Sequence, residues 1–223
     1  MRIPKHTRNN MRFLIAEVGS LVSNLQTYLA SPSANVARRI LDRSGYAFNL
    51  MLRIHDSCHN QVKKAGESGN DSASLRALES IATDLERITG LCRECIQQFN
   101  QLQGRRCPGA GTCKSMLGGI SSGLDRMEPA IRRSDTRMAL RIGRVKPRLD
   151  SASQKLVKKY TAGLKRKKHT EDLVAGLFLV HGIEQMGDAM LNISEAIISA
   201  NLGQPINIER YTSLRASMEQ LDA

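Results

Sequence analysis

Two carboxylates, Glu184 and Asp188, are spaced so that they could hold a cation together. They lie four residues apart in segment 173–202, whose apolar pattern predicts one long helix. At that spacing both side chains point to the same side of the helix, about 40° apart around its axis. Acids on a mostly apolar face need water or a cation. Either a metal shared with a second helix or a groove where Arg or Lys pairs with the acids satisfies that need, and spacing alone favours the groove.

Histidines provide a second pattern typical of metal ligands. His55 and His59 are four residues apart on a predicted helix, a spacing that can bind a transition metal. No Glu follows His55, so a zincin-type protease is not indicated. Two surface histidines near a helix end, where they complement the helix dipole, are the favoured interpretation. His181 lies one turn before Glu184, and a structural role is favoured for it.

The cysteines allow a zinc site but do not favour one. Four of the five follow the pattern C-x2-C-x11-C-x5-C, at Cys92, Cys95, Cys107 and Cys113. The first pair falls on the apolar face of a predicted helix, which favours core thiols. The second pair falls in a predicted loop and could form a disulfide under oxidation. The odd count, without a secretory signal, indicates a reducing compartment, and we expect a cytoplasmic protein.

The charge balance favours anionic partners. The net charge is +12, and segment 141–168 is the main basic patch. This patch could bind an acidic protein, an anionic membrane surface or polyphosphate, or it could be a solvated helix face. Nucleic acid is disfavoured, since Tyr160 is the only aromatic residue nearby and no DNA-binding motif is present. No catalytic set and no phosphate-binding glycine loop are found, which argues against an enzyme.

The elements that must position these residues are all helical. The chain has 223 residues, of which 4% are aromatic and none is Trp, so its aliphatic core favours helix-on-helix packing. Apolar periodicity and turn residues predict helices at 10–30, 34–65, 74–102, 114–133, 134–167, 173–202 and 208–221. A kink or a helix end is expected at Pro129, a kink at Pro147 and a loop at 66–72, with Asp71 or Ser72 capping the next helix. No stretch qualifies as a membrane span.

The predicted order is three helices, a break and three helices, followed by a tail helix. Three glycines and a proline within 104–113 mark the break. We predict a first three-helix bundle at 1–104, a linker at 105–113 and a second bundle at 114–223. Each half ends in a long apolar helix with an acidic insertion, DLERITG at 84–90 and GIEQMGD at 182–188. Aligning Glu86 with Glu184 places both insertions similarly, which indicates an internal duplication.

These two segments resemble the repeated signature of the PhoU family, DLERIGDLAVNIAE. The second copy, IEQMGDAMLNISEAI, follows the pattern closely, and the first keeps DLERI before departing at Thr89 and Gly90. The resemblance extends over nearly the whole chain. It implies two tandem antiparallel three-helix bundles, a cytoplasmic location and no enzymatic activity. It also implies regulation of phosphate uptake alongside phosphate transporter components and a sensor kinase.

Metal binding is a further implication of the resemblance, with iron or zinc as the metal. The motif residues that carry over as ligands are Glu184, Asp188 and Glu86. Gly90 stands where the first motif would have its second acid, so we expect the two halves to be functionally unequal. The competing hypothesis is a metal-free helical adaptor, or a soluble domain related to sodium–phosphate cotransporters. A homodimer is left open.

Overall fold

The regular structure of the chain is helical throughout the described residues. The computed structural model describes residues 3–43, 45–65, 69–101, 107–166 and 169–210. Within them lie the helices α1 (Lys5–Ala30), α2 (Ala34–Leu41), α3 (Tyr46–Ala65), α4 (Gly69–Gln101), α5 (Ala110–Arg133), α6 (Thr136–Gly143), α7 (Val145–Leu164) and α8 (Thr170–Leu202), followed by a 3-10 turn at Ile208–Arg210. The all-α prediction is confirmed. Most of the predicted tail helix, 208–221, lies outside the described residues.

Several helix ends are determined by a single local residue. The α1 helix ends at Ala30, just before Pro32, as predicted. The Ser33 hydroxyl accepts a hydrogen bond from the Val36 amide at 3.3 Å and caps α2. The α8 helix ends at Leu202, and its C-capping residue Gly203 has a φ of 72°, a left-handed conformation that suits glycine. These three boundaries agree with the sequence-based expectation.

Several predicted helix boundaries were wrong. The helix expected at 34–65 is interrupted between α2 and α3, and the one expected at 134–167 is interrupted at Arg144. Pro147 lies in the first turn of α7, where a proline is tolerated. The α4 helix begins at Gly69, so Asp71 and Ser72 are inside it rather than capping it. Because α5 begins at Ala110, the end of the predicted linker 105–113 is helical.

The helix lengths repeat between the two halves. In each half an eight-residue helix is followed by one of 20 residues and one of 33 residues. The α1 and α5 helices, of 26 and 24 residues, open the two series. This order matches the duplication that the acidic insertions indicated. It also places the two signature segments on corresponding helices, α4 and α8.

The long helices α4 and α8 form the most extensive helix pair of the fold. They run antiparallel, since Asp84 of α4 lies beside Asn192 of α8 while Cys95 lies beside Gly182. The α1 helix packs against both α4 and α5, and α7 packs along α8. The aliphatic side chains between these helices are almost completely buried and make up one connected core.

No helix in the described part of the chain is long and apolar enough to cross a membrane.

Candidate functional site

Asp188 of the second signature segment lies on α8 beside α7. The Lys146 ammonium of α7 is 2.8 Å from Asp188 Oδ1 and 2.6 Å from Asp150 Oδ1. Partial burial acts to lower the pKa of Lys146, but hydrogen bonds to the two aspartates outweigh it, and the pKa is raised. A lysine therefore neutralises Asp188, as in the groove alternative considered from the sequence.

Gly187 allows this approach between the two helices. A Cβ atom at Gly187 would lie 3.1 Å from Leu149 Cδ1 and 3.4 Å from Lys146 Cδ. The glycine of the signature segment therefore leaves the space that Lys146 crosses to reach Asp188. Glu184, one turn earlier on α8, is partly buried. The exposed ring of His181 lies at 2.8 Å from the Gln185 amide nitrogen, which donates to its Nε2 atom.

The acid of the first signature segment also lies beside a cationic side chain. Glu86 Oε1 is 3.9 Å from Arg93 Nη2, and both side chains are about three-quarters buried, at 24% and 23% exposed. The same Arg93 nitrogen lies 3.8 Å from where a Cβ atom of Gly90 would be. The guanidinium thus lies over the position at which the first motif lacks its second acid.

One contact joins the two signature segments directly. The Asn192 amide of α8 donates to Asp84 Oδ1 of α4 at 3.3 Å. Asp84 is buried, with 8% of its surface exposed. Burial raises the pKa of this carboxyl group, against the opposing effects of the Asn192 hydrogen bond and the Arg87 charge. Two motif residues from different repeats therefore meet in the α4–α8 interface.

The described residues do not bring together a ready metal-ligand set. No group of three or more His, Cys, Asp or Glu side chains among them could hold a metal ion. Asp188 and Glu86 lie beside a lysine and an arginine instead, and a metal bound at either acid would have to displace that cation. Metal binding at these residues stays a prediction from the resemblance.

His55 and the cysteines of the predicted patterns take part in contacts that hold the helices together. His55 Nε2 lies 3.1 Å from the carbonyl oxygen of Glu79 and ties α3 to α4. Cys92 and Cys95 are buried core thiols, as favoured from the sequence, and burial raises the pKa of Cys95 to about 12. Cys113 is also buried, although a loop was expected there, because α5 already includes it.

Sequence reasoning missed an arginine-rich groove between α5 and the α6–α7 pair. Its volume is about 450 Å³, and its cationic lining residues are Arg126, Arg141, Arg144 and Arg148. The sequence placed three of these arginines in or beside the basic segment 141–168 but gave them no common site. The break at Arg144 is what brings α6 and α7 residues to one side of a groove.

The fold and the paired signature helices define an all-α protein of two repeated halves. Its structure is similar to the crystal structure of PhoU from Pseudomonas aeruginosa, with a TM-score of 0.82 at 16% identity, over 90% of this chain and 97% of that one. It is also similar to the phosphate transport system regulatory protein PhoU from Streptococcus pneumoniae, with a TM-score of 0.82 at 17% identity, over 91% and 96% of the two chains. The chain thus has the PhoU fold, as the signature segments predicted. No protein-family model matches the sequence, and no curated protein matches it.

Proposed function

We propose that this protein regulates phosphate uptake or phosphate signalling by docking onto other proteins, and that it is not an enzyme. The observation that carries the proposal is the similarity in fold, over nine-tenths of the chain, to a phosphate transport system regulatory protein. The two signature segments, on corresponding helices of the two halves, support it independently of that comparison. The partners we propose are phosphate transporter components or a sensor kinase, with the protein located in the cytoplasm.

The docking surface we propose is the exposed basic side of α7. Lys155, Lys158 and Lys159 are all exposed there, and the net charge of +12 favours an acidic protein partner. An anionic membrane surface carrying the transporter is the alternative partner. Charge pairs across such a surface would speed association and select the partner more than they would add affinity.

Phosphate uptake in cells that lack the protein tests the proposal. We expect uptake to change on deletion and to be restored by the wild-type chain. The variant Lys155→Glu/Lys159→Glu should fail to restore it, whereas Arg133→Glu/Arg137→Glu, with the same charge change on α5 and α6, should succeed. Uptake that does not respond to deletion at either high or low phosphate would contradict a regulatory role.

Metal binding is a separate part of the proposal. We infer from the family signature that iron or zinc can bind at Glu184 and Asp188, with Glu86 as the corresponding acid of the first half. Metal content of protein purified without added metal should fall in Glu184→Ala/Asp188→Ala. The control Glu171→Ala/Asp172→Ala removes the same two charges from the first turn of α8 and should leave the metal content unchanged. Equal metal content in the wild type, the site variant and the control variant would contradict metal binding at this site.

A metal-free adaptor, or a soluble domain related to sodium–phosphate cotransporters, is the second candidate function. The observation that favours it is the neutralisation of Asp188 by Lys146 and of Glu86 by Arg93. An acid that already pairs with a neighbouring cation has less need of a metal. Protein that contains no metal but still restores phosphate uptake would favour this candidate.

A further inference from the structure

The groove between α5 and the α6–α7 pair has the composition of an anion site. Four guanidinium groups line it, and no carboxylate does among the described residues. Guanidinium groups gathered in one groove create a positive potential that attracts an anion. Arginine is the cationic residue best suited to a tetrahedral oxyanion, because its planar guanidinium can donate two parallel hydrogen bonds.

The opposite wall supplies small residues at helical spacing, and three of them carry a hydroxyl group. Thr112, Ser115, Gly119 and Ser122 of α5 all line the groove, one turn or two turns apart. Their small side chains leave room for a ligand, and the hydroxyl groups are hydrogen-bond donors. The side chain of Arg126 lies on the same wall of the groove. Its Nη1 atom donates to the carbonyl and hydroxyl oxygens of Ser122. This contact fixes the Arg126 guanidinium on the α5 wall.

The size and lining of the groove narrow the class of ligand. A volume of about 450 Å³ is several times that of one tetrahedral oxyanion and lies within the range of small-molecule sites, about 300–1,000 Å³. No aromatic side chain is among its lining residues within the described part of the chain, so a nucleotide base would find nothing to stack on. A chain of linked phosphate groups uses the arginines and needs no stacking surface.

We propose that this groove binds an oligophosphate, a soluble ligand with two or more linked phosphate groups. Arg141 and Arg148 lie on the exposed side of the groove and would meet the ligand first. Arg126 and Arg144 are partly buried and would hold it against α5 and the α6–α7 break. The site goes beyond the proposed docking function, and it can be tested on the purified chain without any partner protein.

Calorimetric titration of the full chain with pyrophosphate and tripolyphosphate at low ionic strength tests the site. Arg141→Gln/Arg148→Gln removes two charge-assisted donors and should weaken binding at least about tenfold. The matched control is Arg133→Gln/Arg137→Gln, which removes two exposed arginines outside the groove and should bind like the wild type. Circular dichroism confirms that each variant keeps its helical content.

A second variant tests occupancy without changing the charge. Ser115 is exposed and lines the groove, so Ser115→Phe should fold normally and obstruct the ligand, again weakening binding at least about tenfold. Orthophosphate and sulfate should bind more weakly than pyrophosphate. ADP should bind no more tightly than pyrophosphate. The proposal is overturned if the wild type does not bind pyrophosphate or binds sulfate equally well. It is also overturned if Ser115→Phe keeps full affinity, or if the control pair loses as much affinity as the groove pair.

Discussion

Replacing Gly182 by alanine would place a new methyl group inside the α4–α8 interface. The added Cβ atom would lie 2.6 Å from the sulfur of Cys95, closer than the 3.0 Å below which real Cβ contacts essentially never occur. Cys95 is itself buried, so its sulfur has core atoms around it. Overpacking of this kind costs about 1–3 kcal/mol. Alanine gains about 1 kcal/mol over glycine in a helix, so Gly182→Ala alone should be near neutral to about 2 kcal/mol destabilising.

A double-mutant cycle separates the clash from the helix propensity. In a Cys95→Ala background the sulfur is absent, and Gly182→Ala should then be stabilising by about 1 kcal/mol. The coupling between the two positions should therefore be about 1–3 kcal/mol in favour of the double variant. Urea denaturation measures each free energy of unfolding, and for a chain of this size 1 kcal/mol corresponds to about 2–4 °C in Tm.

The matched control is Gly19→Ala in the middle of α1. Apart from the backbone of α1 itself and the two neighbouring residues, no described atom lies within 4 Å of the added Cβ, so Gly19→Ala should stabilise by about 1 kcal/mol in both backgrounds. The argument fails if Gly182→Ala and Cys95→Ala are additive within about 0.5 kcal/mol while the control behaves as expected. That result would mean that α4 and α8 do not approach each other as closely as the Gly182–Cys95 contact requires.

Three further predictions concern titratable side chains. Because burial raises the pKa of Asp84, its ionised form disfavours folding, and Asp84→Asn should raise the free energy of unfolding at pH 7 by up to about 1 kcal/mol and leave it unchanged near pH 3. The pKa of Lys146 is also raised, so its ion pair with Asp188 stabilises below about pH 10 and is lost at higher pH. Lys146→Gln should cost about 0.5–1 kcal/mol at pH 7, discounted for the exposure of Asp188, and nothing once the wild-type lysine is deprotonated. A hydrogen bond from Cys107 lowers the pKa of Cys113, so mild oxidation should join the two thiols in a disulfide visible by peptide mass spectrometry.

Each of these has a control and an opposing outcome. A lower stability of Asp84→Asn at pH 7 would mean that the charge of Asp84 is needed, contrary to the direction of its pKa. Asp150→Asn tests the other partner of Lys146, and a loss of stability that persists at alkaline pH would point to packing rather than charge. In Cys58→Ser the disulfide between Cys107 and Cys113 should still form on oxidation. Oxidation of Cys58 while Cys107 stays reduced would contradict the predicted pairing.

Helix positions were predictable from the sequence, and interruptions within helices were not. Pro32, Ser33 and Gly203 act through their own backbone or side chain, so local sequence was sufficient. The break after Gly143 depends on α8. A Cβ atom at Gly143 would lie 2.8 Å from the hydroxyl oxygen of Ser194, and that hydroxyl donates to the Ala139 carbonyl at 2.7 Å. The break therefore coincides with a close contact to a distant helix, which a local sequence pattern does not contain.

Turn-forming residues were misleading at the start of α4. Asp71 and Ser72 suggested a loop followed by a cap, but both lie in the first turn of the helix. Acidic and hydroxyl residues are also favoured in a first turn, where unpaired amide groups and the helix dipole attract them. The same composition therefore fits a loop or a helix start, and only the packing of α4 on its neighbours decides between them.

Only part of the candidate site was predictable from the sequence. The acids Glu86, Glu184 and Asp188 followed from the repeated signature, whereas the cations beside Glu86 and Asp188 are known only from the three-dimensional structure. Lys146 and Asp150 have the four-residue spacing of a helical ion pair, although the sequence analysis did not identify it. That Lys146 also reaches Asp188 requires α7 to pack beside α8, which a one-dimensional pattern does not contain.

The last three helices of each half match in length, but the two halves pair their acids with cations in different ways. In the first half the cation comes from the same helix, since Arg93 and Glu86 are both on α4. In the second half it comes from a neighbouring helix, since Lys146 is on α7 and Asp188 on α8. A ligand that replaces Lys146 at Asp188 therefore breaks a contact between two helices, whereas displacing Arg93 from Glu86 breaks a contact within one helix. Because α7 also carries the exposed lysines, the second acidic site and the basic surface share a helix, and the first acidic site does not share one with that surface.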